Sequence, residues 1–144
     1  MINKPRILFL CTGNSCRSQM AEGWAGELKS DIFEAYSAGI ESHGLNPRAV
    51  RVMAEAGVDI SEQTSKTTAE LPVREFDYVV TVCSDADDNC PWFPAKTKIV
   101  HHGFDDPPRL TKDMQDEEKI LAVYRRVRDE IREYVKSLPE SLEG

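Results

Sequence analysis

The sequence predicts an α/β fold: one domain over residues 1–144, built on a four-stranded parallel sheet in a three-layer α/β/α arrangement. Four apolar runs have the length and near-continuous hydrophobicity of strands buried on both faces. Helical patterns lie between and after them, and strands alternating with helices imply parallel pairing through right-handed crossovers. No internal repeat, low-complexity tract or linker divides the chain.

The strands are expected at Arg6–Leu10, Phe33–Ala38, Tyr78–Cys83 and Thr97–His102. Gln19–Leu28 carries Met20, Trp24 and Leu28 on one helical face. Pro47–Ala56 has Asn46 as N-cap, Pro47 at the first helical position and Gly57 as its stop. Ser61–Lys66 reads as a turn or the start of a short helix, and Thr68–Val73 as a further short helix. The longest helix runs from about Asp116 to Ser137 on an apolar stripe of Ile120, Val123, Tyr124, Val127, Ile131, Tyr134 and Val135, and Pro139 closes it. The tail Pro139–Gly144 is expected to fray.

Composition narrows the function. A net charge of -7 argues against a general binder of nucleic acid or anionic membrane. No segment approaches the ~18 consecutive apolar residues of a membrane span. Met1–Pro5 leads into a strand without a signal-peptide hydrophobic region, so a cytoplasmic location is the default expectation. In that compartment four cysteines point to catalysis, redox chemistry or metal before structural disulfides. Their spacings lack the short pairs of a zinc site, so no metal centre is expected.

The run Cys11-Thr12-Gly13-Asn14-Ser15-Cys16-Arg17-Ser18 follows the first strand directly and opens a helix. A chain that leaves a strand, turns through small residues and enters a helix directs successive N–H groups inward, which makes a cradle for a tetrahedral oxyanion. Thr12 to Arg17 are the expected oxyanion-binding residues, with the Arg17 guanidinium offering a planar fork. Cys11 at the mouth of that cradle is favoured as thiolate and nucleophile. Ser18 is expected as N-cap and as hydrogen-bond donor to the Cys11 sulfur. Cys16 reads mainly as a loop residue.

Cys83 and Cys90 flank a small, acidic, polar segment with little apolar surface to pin it. Two thiols two helical turns apart bond only once that helix unwinds. This favours a redox-coupled rearrangement over two unrelated core cysteines. Asp105-Asp106-Pro107 follows the fourth strand and offers a general acid toward a leaving oxygen. The residues do not choose between the two aspartates, and the segment is also ordinary turn chemistry. His101 and His102 read as a strand end, and His43 as a loop residue that the site leaves little weight. The ends of strands one, three and four share one sheet edge, where ligands bind in open α/β sheets.

Cys11 to Trp24, Tyr36-Ser37-Ala38-Gly39-Ile40-Glu41, His43 to Pro47, Thr81 to Asp87, Asn89-Cys90-Pro91, Gly103 to Pro107 and Arg126 to Ile131 follow in order along almost the whole chain. This series resembles the thioredoxin-coupled arsenate reductases, which share the low-molecular-weight tyrosine phosphatase fold. The resemblance implies that Cys11 attacks arsenate while Asp106 protonates the departing oxygen. It further implies that Cys83 then attacks Cys11, that Cys90 attacks Cys83, and that thioredoxin reduces the final disulfide as external reductant, with no bound cofactor. Phosphate and sulfate are the implied competing oxyanions, and a monomer is expected. Some relatives hold a monovalent cation at positions matching Asn14, Glu22 and Ser37 plus an aspartate after a Thr-Ser pair. Here Thr64-Ser65 is followed by Lys66, whose ammonium can take that charge position.

A protein tyrosine or small-phosphoester phosphatase is the alternative. It shares Cys11, Arg17 and Asp106 but needs neither Cys83 nor Cys90, and phosphatases of this fold tend to carry tyrosines where Pro108 and Arg109 stand. An oxyanion-binding or redox-sensing module without turnover is the third reading.

Overall fold

The run Ile7–Leu10 has no exposed side chain, so the strand that contains it must be covered on both faces. That strand, β1 (Arg6–Cys11), is central in a computed structural model that describes residues 4–82 and 96–142. It pairs in parallel with β2 (Glu34–Gly39) on one side and β3 (Tyr78–Thr81) on the other, and β4 (Lys98–His101) pairs in parallel with β3. The order β2-β1-β3-β4 is the expected four-stranded parallel sheet. The chain leaves β1 in one direction and later returns to its other side. The carboxyl end of β1 is thus a topological switch point, the preferred place for a ligand in such sheets.

Strand limits differ from the sequence reading in small ways. β1 extends to Cys11, which lies opposite Gly39 at the end of β2. Phe33 stays outside the ladder, buried and edge-on to Tyr78 at 6.0 Å. Thr97 precedes β4 and donates its hydroxyl to the Phe76 carbonyl at 2.7 Å. The expected strand residue Cys83, and with it Cys90, lies outside the described residues.

Helix α1 (Arg17–Leu28) packs on β1, β2 and the long C-terminal helix. It starts two residues earlier than its apolar spacing suggests, because its first turns bury polar side chains as well: Arg17, Ser18 and Gln19 join Met20, Ala21 and Trp24. Leu28, expected on the apolar face, is exposed. Helix α2 (Pro47–Glu55) carries the expected cap, with Asn46 accepting from the N–H groups of Arg48 and Ala49 at 2.8 and 3.2 Å. Gly57, just past the helix, takes φ 87°, a conformation that glycine adopts without penalty.

Of the two readings of residues 61–66, the turn holds, at 61–62, and residues 63–66 take no regular secondary structure. The next short helix is a single 3₁₀ turn, Thr68–Glu70, and Pro107–Leu110 forms a one-turn helix, α3. Helix α4 (Glu117–Lys136), capped by Asp116, buries Ile120, Leu121, Tyr124, Val127, Ile131, Tyr134 and Val135. The tail does not fray as expected over its described part. Glu140–Leu142 makes a 3₁₀ turn, and Leu142 is buried as a member of the core cluster.

No helix among the described residues is long and apolar enough to cross a membrane.

Candidate active site

The loop after β1 is defined by where its carbonyls go. Cys11, Thr12, Gly13 and Ser15 carbonyls accept from the main-chain N–H groups of Ile40, Glu41, His43 and Asn46 at 2.8–3.1 Å. The Asn14 carbonyl accepts from the Gln19 side chain at 2.9 Å, and the Cys16 carbonyl from Met20 N–H inside α1. Six successive carbonyls are therefore tied to surrounding structure. In a trans peptide the N–H opposes its carbonyl, so the amides of residues 12–17 turn toward the other side. The small residues and the helix start predict a cradle on that side. Asn14 makes the bend, with φ 47°, a left-handed conformation that asparagine tolerates better than most residues.

The crossing between this loop and the end of β2 leaves no room for a side chain. A Cβ on Gly39 would meet the carbonyl oxygens of Glu41 and Thr12 at 2.3 and 2.8 Å and the Asn14 nitrogen at 2.7 Å. Gly13 is covered differently, by the ring of His43, whose Nδ1 would lie 2.4 Å from an added Cβ. His43 Nε2 meets Glu41 Oε2 at 2.7 Å. The sequence reading gave His43 little weight, and the structure sets it against the cradle.

Cys11, at the end of β1, and Cys16, at the N-cap of α1, are both buried. Burial pushes the Cys16 thiol up to about 12, against the opposing pull of Arg17, which keeps it protonated at neutral pH. Ser18 is not the N-cap, since α1 begins at Arg17 and Ser18 is its second residue. Its hydroxyl oxygen accepts from Asn14 Nδ2 at 2.9 Å, which leaves the hydroxyl hydrogen for another acceptor.

Arg17 is held from the far side of the sheet edge. Its Nη1 donates to the Phe104 carbonyl at 3.0 Å, and its Nη2 lies 3.5 Å from Asp106 Oδ2. Its Nε is buried and has no hydrogen-bond partner among the described residues, a donor suited to an oxyanion. Phe104 is fixed in turn by an aromatic cluster, edge-on to Tyr134 at 5.9 Å with His102 stacked on the same tyrosine at 4.1 Å. The two neighbouring aspartates face opposite ways. Asp106 faces Arg17, whereas Asp105 is exposed and pairs with Arg126 at 2.9 Å.

Beneath the loop, Glu22 is hydrogen-bonded to the Ser37 hydroxyl. Burial raises the Glu22 carboxyl above its ordinary range, and the Ser37 bond and the Lys66 charge pull it back. Lys66 Nζ donates to the Thr64 carbonyl at 2.6 Å, and its main-chain N–H reaches Asn14 Oδ1 at 2.9 Å. The cation-region residues Asn14, Glu22, Ser37 and Lys66 are thus neighbours. Sequence reasoning missed what joins segment 61–66 to the cradle: Gln19, Gln63 and Ser65. Ser65 Oγ donates to the Gly13 carbonyl at 3.2 Å, and Gln63 Nε2 donates to Gln19 Oε1 at 2.8 Å. No short-range spacing announces a contact across 44 residues.

Among the described residues no group of three His, Cys, Asp or Glu side chains is arranged to hold a metal ion. A cleft of about 1230 Å³ opens at the opposite edge of the sheet, beside Arg6, Glu34 and Asp77, away from this loop.

The family model for low molecular weight phosphotyrosine protein phosphatase matches residues 6–144. An arsenate reductase of Halalkalibacterium halodurans is 54% identical over 140 residues, covering 97% of this chain and 99% of the relative. One of Bacillus subtilis is 53% identical over 135 residues, covering 94% and 95%. A solved arsenate reductase in the phosphate binding state superposes with a TM-score of 0.70 at 30% identity, over 96% of this chain and 98% of the other. With a cradle, a thiol and an arginine in this arrangement, the chain belongs to the low molecular weight phosphotyrosine protein phosphatase family, on the side of that family whose members are named arsenate reductases.

Proposed function

We infer that the protein reduces arsenate to arsenite by a relay of three thiols. The observation that carries this reading is the loop whose six carbonyls are all bonded to surrounding structure, with a buried thiol at its start and a buried arginine at its end. Arsenate sits on the amides of residues 12–17 and on Arg17. The Cys11 thiolate attacks arsenic, an S–As bond forms, and the displaced oxygen leaves as water after taking a proton from Asp106. Asp106 suits this role better than Asp105 because it faces Arg17, while Asp105 is engaged with Arg126. The Ser18 hydroxyl, already accepting from Asn14, supports the thiolate with its hydrogen.

Cys83 then attacks the Cys11 sulfur. The S–As bond breaks with its electron pair on arsenic, arsenite departs, and a Cys11–Cys83 disulfide remains. Cys90 attacks Cys83, freeing Cys11, and thioredoxin reduces the Cys83–Cys90 disulfide. This part rests on the spacing of Cys83 and Cys90 and on the resemblance to thioredoxin-coupled enzymes. The protein works as a cytoplasmic monomer without a bound cofactor, and phosphate and sulfate compete for the cradle. The Lys66 ammonium supplies the positive charge beside Glu22, so potassium should change neither activity nor melting temperature; a clear gain with potassium sinks that role.

The test is arsenate-dependent NADPH oxidation with thioredoxin and thioredoxin reductase, run beside hydrolysis of para-nitrophenyl phosphate. Sustained arsenate turnover that Cys83→Ser abolishes, with any phosphate hydrolysis spared, is the expected result. Phosphate hydrolysis without arsenate turnover makes the protein a phosphatase, and normal turnover by Cys83→Ser overturns the relay.

A further inference from the structure

Gln19 is fully buried, yet its amide is polar at both ends, so its bonds must be accounted for. It is the third residue of α1, where a glutamine commonly reaches back to its own helix start. Here the carboxamide nitrogen reaches further back. It donates to the Asn14 carbonyl at 2.9 Å, lies 3.1 Å from Asn14 Oδ1, and donates to the Thr64 carbonyl at 3.0 Å.

The direction of every amide in this cluster is set by a main-chain group, which cannot be flipped. Two main-chain carbonyls, those of Asn14 and Thr64, face the Gln19 nitrogen, so Gln19 Oε1 must point away. Gln63 Nε2 donates to that oxygen at 2.8 Å and also to the main-chain carbonyl of Gln19 at 3.0 Å. Lys66 N–H fixes Asn14 Oδ1 as an acceptor, so Asn14 Nδ2 is turned to Ser18. The result is a one-way ladder of donors, Gln63 to Gln19 to Asn14 to Ser18, and polarised chains of this kind reinforce one another. Gln19 is the rung that grips the main chain of Asn14 at its left-handed bend and ties it to residue 64.

We propose that Gln19 is a positioning residue of the oxyanion loop, holding Asn14 in the left-handed conformation that aims the loop amides inward. The proposal rests on the reading of residues 11–17 as the oxyanion site. Gln19 acts through Asn14 and touches no substrate. A side chain of similar length without donors leaves Asn14 free to relax toward negative φ. A glycine at position 14 adopts positive φ unaided and makes the grip unnecessary.

The test is a double-mutant cycle read by calorimetric titration with inorganic phosphate, a readout independent of the thiol relay. Gln19→Met should weaken phosphate binding about tenfold, the loss of one to two net hydrogen bonds. In an Asn14→Gly background, the same substitution should change binding by less than about twofold. An equal loss in both backgrounds, or no loss with Asn14 present, overturns the proposal. If circular dichroism shows that Gln19→Met does not fold, Gln19→Glu enters the same cycle, since it keeps the acceptor for Gln63 and loses the donors on ionisation. Failure of the unaltered protein to bind phosphate overturns the oxyanion reading and this proposal together, whereas phosphate binding that is indifferent to Gln19 removes this proposal alone.

Discussion

Gly39 and Gly13 are both glycines beside the cradle, and what surrounds each decides how it can be replaced. At Gly39 an added Cβ meets only main-chain atoms, the oxygens of Glu41 and Thr12 and the nitrogen of Asn14, none of which can swing aside. At Gly13 it meets the ring and Cβ of His43, a side chain about half exposed. Gly39→Ala should therefore destabilise by about 1–3 kcal/mol through overpacking and abolish phosphate binding, with no single partner substitution to restore it. Gly13→Ala should lose less, and adding His43→Ala should recover most of the loss. Urea unfolding and phosphate titration of the three variants check this; equal, unrescued losses at both glycines count against the contact geometry. Neither glycine is conspicuous in the sequence beyond its place in a small-residue turn, because the crowding comes from segments that meet only in the fold.

The helices show which elements could be read from the chain and which could not. Cap and stop of α2, Asn46 and Gly57, and the stripe of α4 were legible because local chemistry and the apolar period agree there. The start of α1 was not: its first turn buries Arg17, Ser18 and Gln19, so polarity gives no hint of burial, and Ser18 looks like a cap while lying inside the helix. Segment 61–66 showed its turn but not its role. The side chains of Gln63 and Ser65 and the main-chain N–H of Lys66 reach the loop and α1 across the fold, which no local pattern announces. Asn46 does more than cap α2, since its Nδ2 also donates to the Tyr124 hydroxyl on α4 at 3.2 Å. Asn46→Ala should cost about 1–2 kcal/mol, the upper part of the range for a cap. Asp116→Ala, which removes an exposed cap with bonds of 3.0 and 3.4 Å, should cost less. Urea midpoints at unchanged m-value report the order, and a larger loss at Asp116 contradicts it.

For the molecule as a whole, the sheet was legible because apolar runs alternate with helical patterns, and the cysteine motif follows its central strand. The aspartate facing Arg17 was not, since Asp105 and Asp106 differ only in which way the folded chain turns them. The end of the described chain was also misread. Polar flanks suggest a loose tail, yet Leu138 and Leu142 close the bottom of the core. Leu142→Ala should destabilise the entire cooperative unit by about 2–4 kcal/mol, as a cavity in a core does. Loss confined to the C-terminus in hydrogen exchange, with the global unfolding midpoint unchanged, would show that this residue is peripheral.

The outward carbonyls of the cradle carry a consequence for inheritance and for engineering. Their partners come from residues 19–20 and 40–46, the Ser65 hydroxyl and the Lys66 main-chain N–H brace the same loop, and Arg17 is anchored to 104–106. The unit that can be transplanted into another sheet is therefore discontinuous. A graft of Cys11 to Ser18 alone would move the nucleophile and leave behind everything that gives its loop a shape. Lineages that exchange this loop must exchange these segments with it, and recombination within the family should find its tolerated crossover points beyond residue 106, as in α4.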